Sequence, residues 1–124
     1  MRPYLIILYL ICLVAIGAAA DALNDTGMQT IGHASSAVEV GGLLVCGLVL
    51  NLQRKDVLTL LIAYVCFRMV GFDYMYNAVA GLPLEYHGES SLWDGFLSQF
   101  PHHGILFARS IFLIVGISIP FKFL

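Results

Sequence analysis

Four ionisable residues lie within long apolar stretches of the sequence: Glu39, Arg68, Asp73 and Arg109. A charged side chain is costly in apolar surroundings, so such residues usually face the interior of a helix bundle and pair with one another. Two acids and two bases at similar depth on three helices would form a charge-compensated cluster. Such a cluster either holds the helices together or lines a polar cavity that binds a small molecule or ion or relays protons.

Acidic and histidine side chains near the same end of the apolar stretches raise the question of a metal site. Asp21 and Asp25 share one helix face because four residues separate them, and His33 precedes Glu39 by six residues. None of the closely spaced His and Glu patterns of zinc enzymes occurs, so we predict no metal and no other cofactor. We expect His33 to be a hydrogen-bonded residue near the membrane interface that can approach the cluster.

A hydrogen-bonding patch is predicted from Asp73, Tyr76 and Asn77, whose spacing places them on one helix face. Such a patch suits either the orientation of a ligand or the support of the loop that follows. The complete candidate polar cluster comprises Asp21, Asp25, His33, Glu39, Arg68, Asp73, Asn77 and Arg109.

The composition indicates that membrane-spanning helices carry these residues. Of the 124 residues, 60% are hydrophobic and 11% charged, and the mean hydropathy is +0.88, which is outside the range of water-soluble domains. One crossing needs roughly 20 apolar residues, so the chain can hold four crossings and short loops. We therefore predict an all-α fold with a single domain over residues 1–124, an integral membrane bundle of four transmembrane helices plus one short interfacial helix on the outer side.

The apolar runs and the turn residues between them set the expected bounds. Residues 26–33 should form a connector, and the hydrophilic residues 51–56 should form a tight turn that makes the second and third helices an antiparallel hairpin. Gly81 followed by Pro83 should end the third helix. The predicted helices cover about 4–23, 34–52, 57–80 and 103–121, and the interfacial helix covers about 92–100.

The distribution of basic residues predicts the orientation. All four basic residues outside the apolar runs lie on one side of the four-crossing arrangement, whereas the loops at 21–36 and 81–102 contain no Lys or Arg. Short loops rich in Lys and Arg stay in the cytoplasm, so we expect both termini there, in a bacterial inner membrane. Alternatively, residues 1–20 are a signal peptide, because Ala18–Ala20 has the form of a cleavage site.

Two segments resemble those of small bacterial multi-pass membrane proteins of no assigned function: DALND at 21–25, and GLPLEYHG at 81–88 followed by SLWD at 91–94. The resemblance covers most of the chain and implies a multi-pass membrane architecture. It implies no activity, substrate or catalytic residue.

A charged cluster without a catalytic motif favours a non-enzymatic component of the membrane, either structural or accessory, or one that binds a small ligand. A transporter or channel-like component for an ion, a proton or a small solute is the alternative, and a membrane enzyme comes third. The expected partners are the lipid bilayer and either a second copy of the chain or a membrane-complex partner. No basic patch suited to nucleic acid is present, so nucleic acid is excluded.

Overall fold

The computed structural model describes residues 3–49, 52–86, 95–96 and 98–123. Within them lie four long helices, and the described residues contain no strand. By length and composition, each of the four is able to span a membrane, which agrees with the predicted all-α membrane architecture. The helices are α1 (Pro3–Asp25), α2 (Gln29–Val49), α3 (Arg54–Ala80) and α4 (His102–Phe123).

The connection between α1 and α2 is shorter than predicted. Gly27 adopts a φ of 90°, a left-handed conformation that glycine adopts without steric cost, and the hydroxyl of Thr26 donates to the Ala22 carbonyl at 2.9 Å. Helix α2 then begins at Gln29, five residues before the expected start at residue 34. Residues 29–33 are therefore helical, and the prediction that they belong to a connector is wrong.

The sequence predicted the end of α3 correctly but placed its start three residues too late. Helix α3 begins at Arg54, so part of the predicted 51–56 turn is its first turn. It ends at Ala80 as expected, because Gly81 has a φ of 72° and its N–H bonds back to the Asn77 carbonyl. Of the predicted interfacial helix at 92–100, residues 92–94 and 97 lie outside the described residues. Gly95 and Phe96 are helical, whereas residues 98–100 form a turn and a bend.

Helix α1 occupies the centre of the bundle. It packs along both α2 and α3, and α3 packs along α4 on its other side. Helices α2 and α3 run antiparallel, as predicted, because Gly47 lies near Val57 and Glu39 bonds to Arg68. Their backbones approach each other closely at few places, so they meet mainly through side chains. Because lipid tails are as apolar as leucine, contacts between these helices rest on close packing and polar bonds rather than on exclusion of water.

The two ends of the bundle differ in charge. We call the end where α1 and α3 finish and α2 and α4 begin the acidic end, because Asp21, Asp25 and Glu85 lie near it. The opposite end, with Lys55 and Lys122, is the basic end. The interior on the side of the basic end is apolar and contains Ile6, Leu10, Leu13, Cys46 and Leu60.

Candidate functional site

The candidate polar residues form two separate groups instead of one cluster. The first group, the Glu39 network, joins Asp21, Glu39, Tyr64 and Arg68 across α1, α2 and α3. The second is the ion pair of Asp73 on α3 with Arg109 on α4.

Glu39 is the buried centre of its network. The residue is only 9% exposed, and its Oε1 atom accepts hydrogen bonds from the Tyr64 hydroxyl and from Nη1 of Arg68, the latter at 2.6 Å. The second carboxylate oxygen, Oε2, accepts no hydrogen bond from the described part of the chain. One oxygen of this buried carboxylate therefore keeps its capacity to bind a proton or a cation.

Helix α1 makes room for this carboxylate at Gly17. A Cβ atom added to Gly17 would overlap both oxygens of Glu39, so only glycine permits the carboxylate to lie against the α1 backbone. Gly32 similarly faces the Asn24 side chain and the Ala20 carbonyl. Close approach of α1 and α2 thus depends on glycine on both helices, as small residues commonly permit in membranes.

Arg68 links the buried carboxylate to the acidic end. Its Nη1 atom donates to the Tyr64 hydroxyl at 3.0 Å as well as to Glu39, and its Nη2 atom lies 3.7 Å from the carboxylate of Asp21. The guanidinium also stacks 4.2 Å from the ring centroid of Phe72. The side chains of Arg68 and Asp21 are 35% and 48% exposed, so the network runs from an accessible carboxylate to a buried one.

The second group is more deeply buried around its cation. Arg109 is 4% exposed, its Nη2 atom donates to the Asp73 carboxylate, and its guanidinium carbon lies 4.6 Å from the centroid of the Tyr74 ring. Nε and Nη1 of Arg109 are buried and have no hydrogen-bond partner among the described residues.

The remaining candidates lie at the acidic end, outside both groups. The Tyr76 hydroxyl donates to Asp25 at 2.6 Å, which ties the end of α1 to α3. Asn77 donates to the carbonyls of Leu84 and Tyr86 at 3.2 and 2.7 Å, so it supports the loop after α3. His33 is exposed, and no hydrogen bond or ion pair in the described part of the chain joins it to the others.

The depth of Glu39 differs from the one expected. Glu39 lies ten residues after Gln29, the first residue of α2, which is about 15 Å at 1.5 Å per residue. Glu39 is therefore near the middle of α2, so it does not share the depth of Asp73 and Arg109, as the sequence had predicted it would. Asp73 and Arg109 each lie seven residues from the acidic end of their helices, at about 10 Å, which explains why they pair with each other.

Two residues of the site were missed in the sequence. Tyr64 precedes Arg68 by four residues, so a helical α3 places both on one face, and that spacing was the available signal. Gly17 gave only the weaker signal of a glycine in an alanine-rich run. Among the described residues, no group of three His, Cys, Asp or Glu side chains is arranged to hold a metal ion.

Comparison with known proteins leaves the site to be interpreted from its geometry. No family model matches the sequence, and neither the curated proteins nor the solved structures include a significant match. The expected resemblance to small bacterial membrane proteins therefore stays a prediction.

Proposed function

We propose that this protein is a non-enzymatic component of a bacterial inner membrane that binds a small cation at the Glu39 network, with both of its termini in the cytoplasm. The observation that carries the proposal is the connection of buried Glu39 to accessible Asp21 through Arg68. An ionisable residue near the middle of a membrane helix is expensive to maintain, so a functional role is the default expectation.

The charges of the network favour a cation. Asp21 and Glu39 contribute two negative charges and Arg68 contributes one positive charge, so the network carries a net charge of −1 when all three are ionised. Asp25 adds a further carboxylate nearby, on the next turn of α1. A small cation at the free Oε2 atom of Glu39 would complete the charge balance.

Transport is the second candidate function, because hydrogen-bonded groups continue past Glu39 towards the basic end. The Tyr9 hydroxyl donates to the Gly42 carbonyl at 2.7 Å, deeper than Glu39 along α2. Leu13 lies beside this bond, and the interior towards the basic end is filled by apolar residues such as Ile6 and Leu60. Among the described residues, hydrogen bonds and an ion pair thus link Glu39 to the acidic end only, an arrangement that suits a one-sided binding site better than an open channel.

Cation binding is tested by thermal unfolding of the detergent-purified protein at constant ionic strength. We expect sodium or methylammonium, substituted for the bulky cation N-methylglucamine, to raise the Tm of the parent because ligands stabilise the state that binds them. Glu39→Gln should abolish this rise. Glu85→Gln, which removes an exposed carboxylate, should preserve it.

Equal responses of the parent and Glu39→Gln would contradict the proposal. A flux of the same cation into proteoliposomes that contain this chain alone would favour the transport candidate. Absence of flux together with a Glu39-dependent Tm rise would favour the binding component. Co-purification of a partner protein would assign the chain to a larger membrane complex.

A further inference from the structure

Arg109 differs from Arg68 in how completely its guanidinium is satisfied. Arg68 contacts two carboxylates and a hydroxyl and is partly exposed, so its remaining N–H groups can reach water or lipid headgroups. Arg109 is 96% buried, and its Nε and Nη1 atoms have no acceptor among the described residues. A buried donor left unsatisfied destabilises the protein, and more so when the group is charged.

The geometry of a guanidinium defines what could satisfy these donors. Its five N–H groups form two forks, one from Nε with Nη2 and the other from Nη1 with Nη2, and each fork matches a pair of oxygens on one anion. Asp73 accepts from Nη2, which has two hydrogens. Whichever hydrogen is used, one complete fork remains on the other edge for a second oxyanion.

The position of Arg109 favours an oxyanion that arrives from the acidic end. Helical side chains tilt towards the N-terminus of their helix, and the N-terminus of α4 is at the acidic end. Arg109 lies seven residues from that terminus, about 10 Å, and long basic side chains in membranes reach towards the interface. The Tyr74 ring covers one face of the guanidinium and leaves its edges as the directions for hydrogen bonds.

We propose that the Asp73–Arg109 pair is an oxyanion-binding site between α3 and α4, in which the unoccupied fork of Arg109 holds a phosphate group. The phosphate belongs either to a phospholipid headgroup or to a free anion. This site is distinct from the Glu39 network and does not rest on the proposed cation binding.

The test is a titration of delipidated protein in detergent, followed by thermal unfolding. The probes are inorganic phosphate, short-chain dihexanoyl phosphatidylglycerol, and dihexanoylglycerol, which has the same acyl chains without the phosphate. We expect at least one phosphate-bearing probe to raise the Tm of the parent, and dihexanoylglycerol to have no effect. A response to phosphatidylglycerol alone identifies a lipid headgroup, whereas a response to inorganic phosphate identifies a free anion.

Two matched variants test the role of the fork. Arg109→Lys keeps the charge but loses the bidentate geometry, so we expect the apparent Kd of the active probe to rise by about tenfold or more, the equivalent of one charge-assisted hydrogen bond. Arg68→Lys makes the same change in the Glu39 network and should leave that Kd within about twofold of the parent value, since it does not touch this site.

Three outcomes would overturn the oxyanion site: no response of the parent to either phosphate-bearing probe, an equal response to dihexanoylglycerol, or unchanged affinity in Arg109→Lys. The first two are read on the parent protein alone, so the proposal stays testable even if Arg109→Lys does not fold. Failure of cation binding at Glu39 would leave these results unaffected, because the probes and the variants differ.

Discussion

At the scale of single residues, the four charged residues within the apolar helices form two separate ion pairs. Glu39 pairs with Arg68, and Asp73 pairs with Arg109. Each pair also has an aromatic neighbour, Phe72 beneath Arg68 and Tyr74 beneath Arg109. The sequence predicted one cluster of all four charges at similar depth. The similar depth is wrong, because Glu39 lies deeper than the predicted start of α2 implied.

These two ion pairs predict in which double variants the effects on the free energy of unfolding are not additive. Glu39→Gln and Arg68→Met should each lower the free energy of unfolding by about 1–3 kcal/mol, because each leaves a partly buried partner without its counter-charge. The double variant should cost less than the sum, with a coupling energy of about 0.5–3 kcal/mol. Unfolding in detergent by SDS titration measures all three variants.

The matched control for this cycle combines Glu39→Gln with Arg109→Met. These residues belong to different ion pairs, so their effects should add to within about 0.5 kcal/mol. Equal coupling in the two cycles would show that the four charges act as one cluster and would contradict the division into two groups.

At the scale of helices, the approach of α1 to α2 is set by what lies opposite each glycine. Gly17 faces the Glu39 carboxylate and Gly42 faces Leu13, whereas Gly41 has no neighbour within 4 Å of an added Cβ. Equal small size therefore has different consequences at different positions. The contacts predict which glycine is required.

Substitution of these glycines by alanine separates the two cases. Gly17→Ala forces the Glu39 carboxylate away from α1 and should destabilise the protein by about 1–3 kcal/mol, as overpacking does. Gly41→Ala should be neutral or stabilising by up to about 1 kcal/mol, because alanine is the better helix former. The readout is again the SDS unfolding free energy, and a similar loss in both variants would show that backbone propensity, not contact with Glu39, is decisive.

The sequence predicted the helices better than their contacts. Apolar runs indicated the four helices, and Gly81 indicated the end of α3. Both signals are local in the sequence. The first turn of α2 was missed because Gln29, Thr30 and His33 are polar. Hydropathy cannot distinguish a polar connector from the polar end of a helix, although Gly32 in this turn of α2 packs against α1. The ion pairs depend on helix rotation and depth together, and an error of five residues in the start of α2 was enough to place Glu39 too close to the membrane surface.

At the scale of the whole molecule, charge separates the two ends of the bundle. The described connections at 26–28 and 81–86 contain no basic residue, whereas Lys55 and Lys122 lie at the opposite end. Positive charge near membrane helices favours retention in the cytoplasm. The same asymmetry therefore predicts which end faces which compartment.

Reporter insertions test this orientation. A fluorescent reporter placed after Lys122 or at Gln53 should be active in the cytoplasm, and an alkaline phosphatase reporter placed after Glu85 should be active outside, because the first two sites lie at the basic end and the third at the acidic end. An external C-terminal reporter would contradict the four-crossing orientation. An intact mass that lacks residues 1–20 would instead leave three crossings without the core side chains of α1.

The central position of α1 also bears on the order of assembly during synthesis. Helices α1 and α2 are made first and joined by a short connection, so they can enter the bilayer as a pair before α3 exists. At that stage Glu39 faces Gly17 but lacks Arg68, which follows it by 29 residues. An unpaired charge at the centre of a membrane helix costs roughly 2.5–3.5 kcal/mol on insertion scales. Stable insertion of α2 therefore gains from the arrival of α3, which supplies the counter-ion of Glu39.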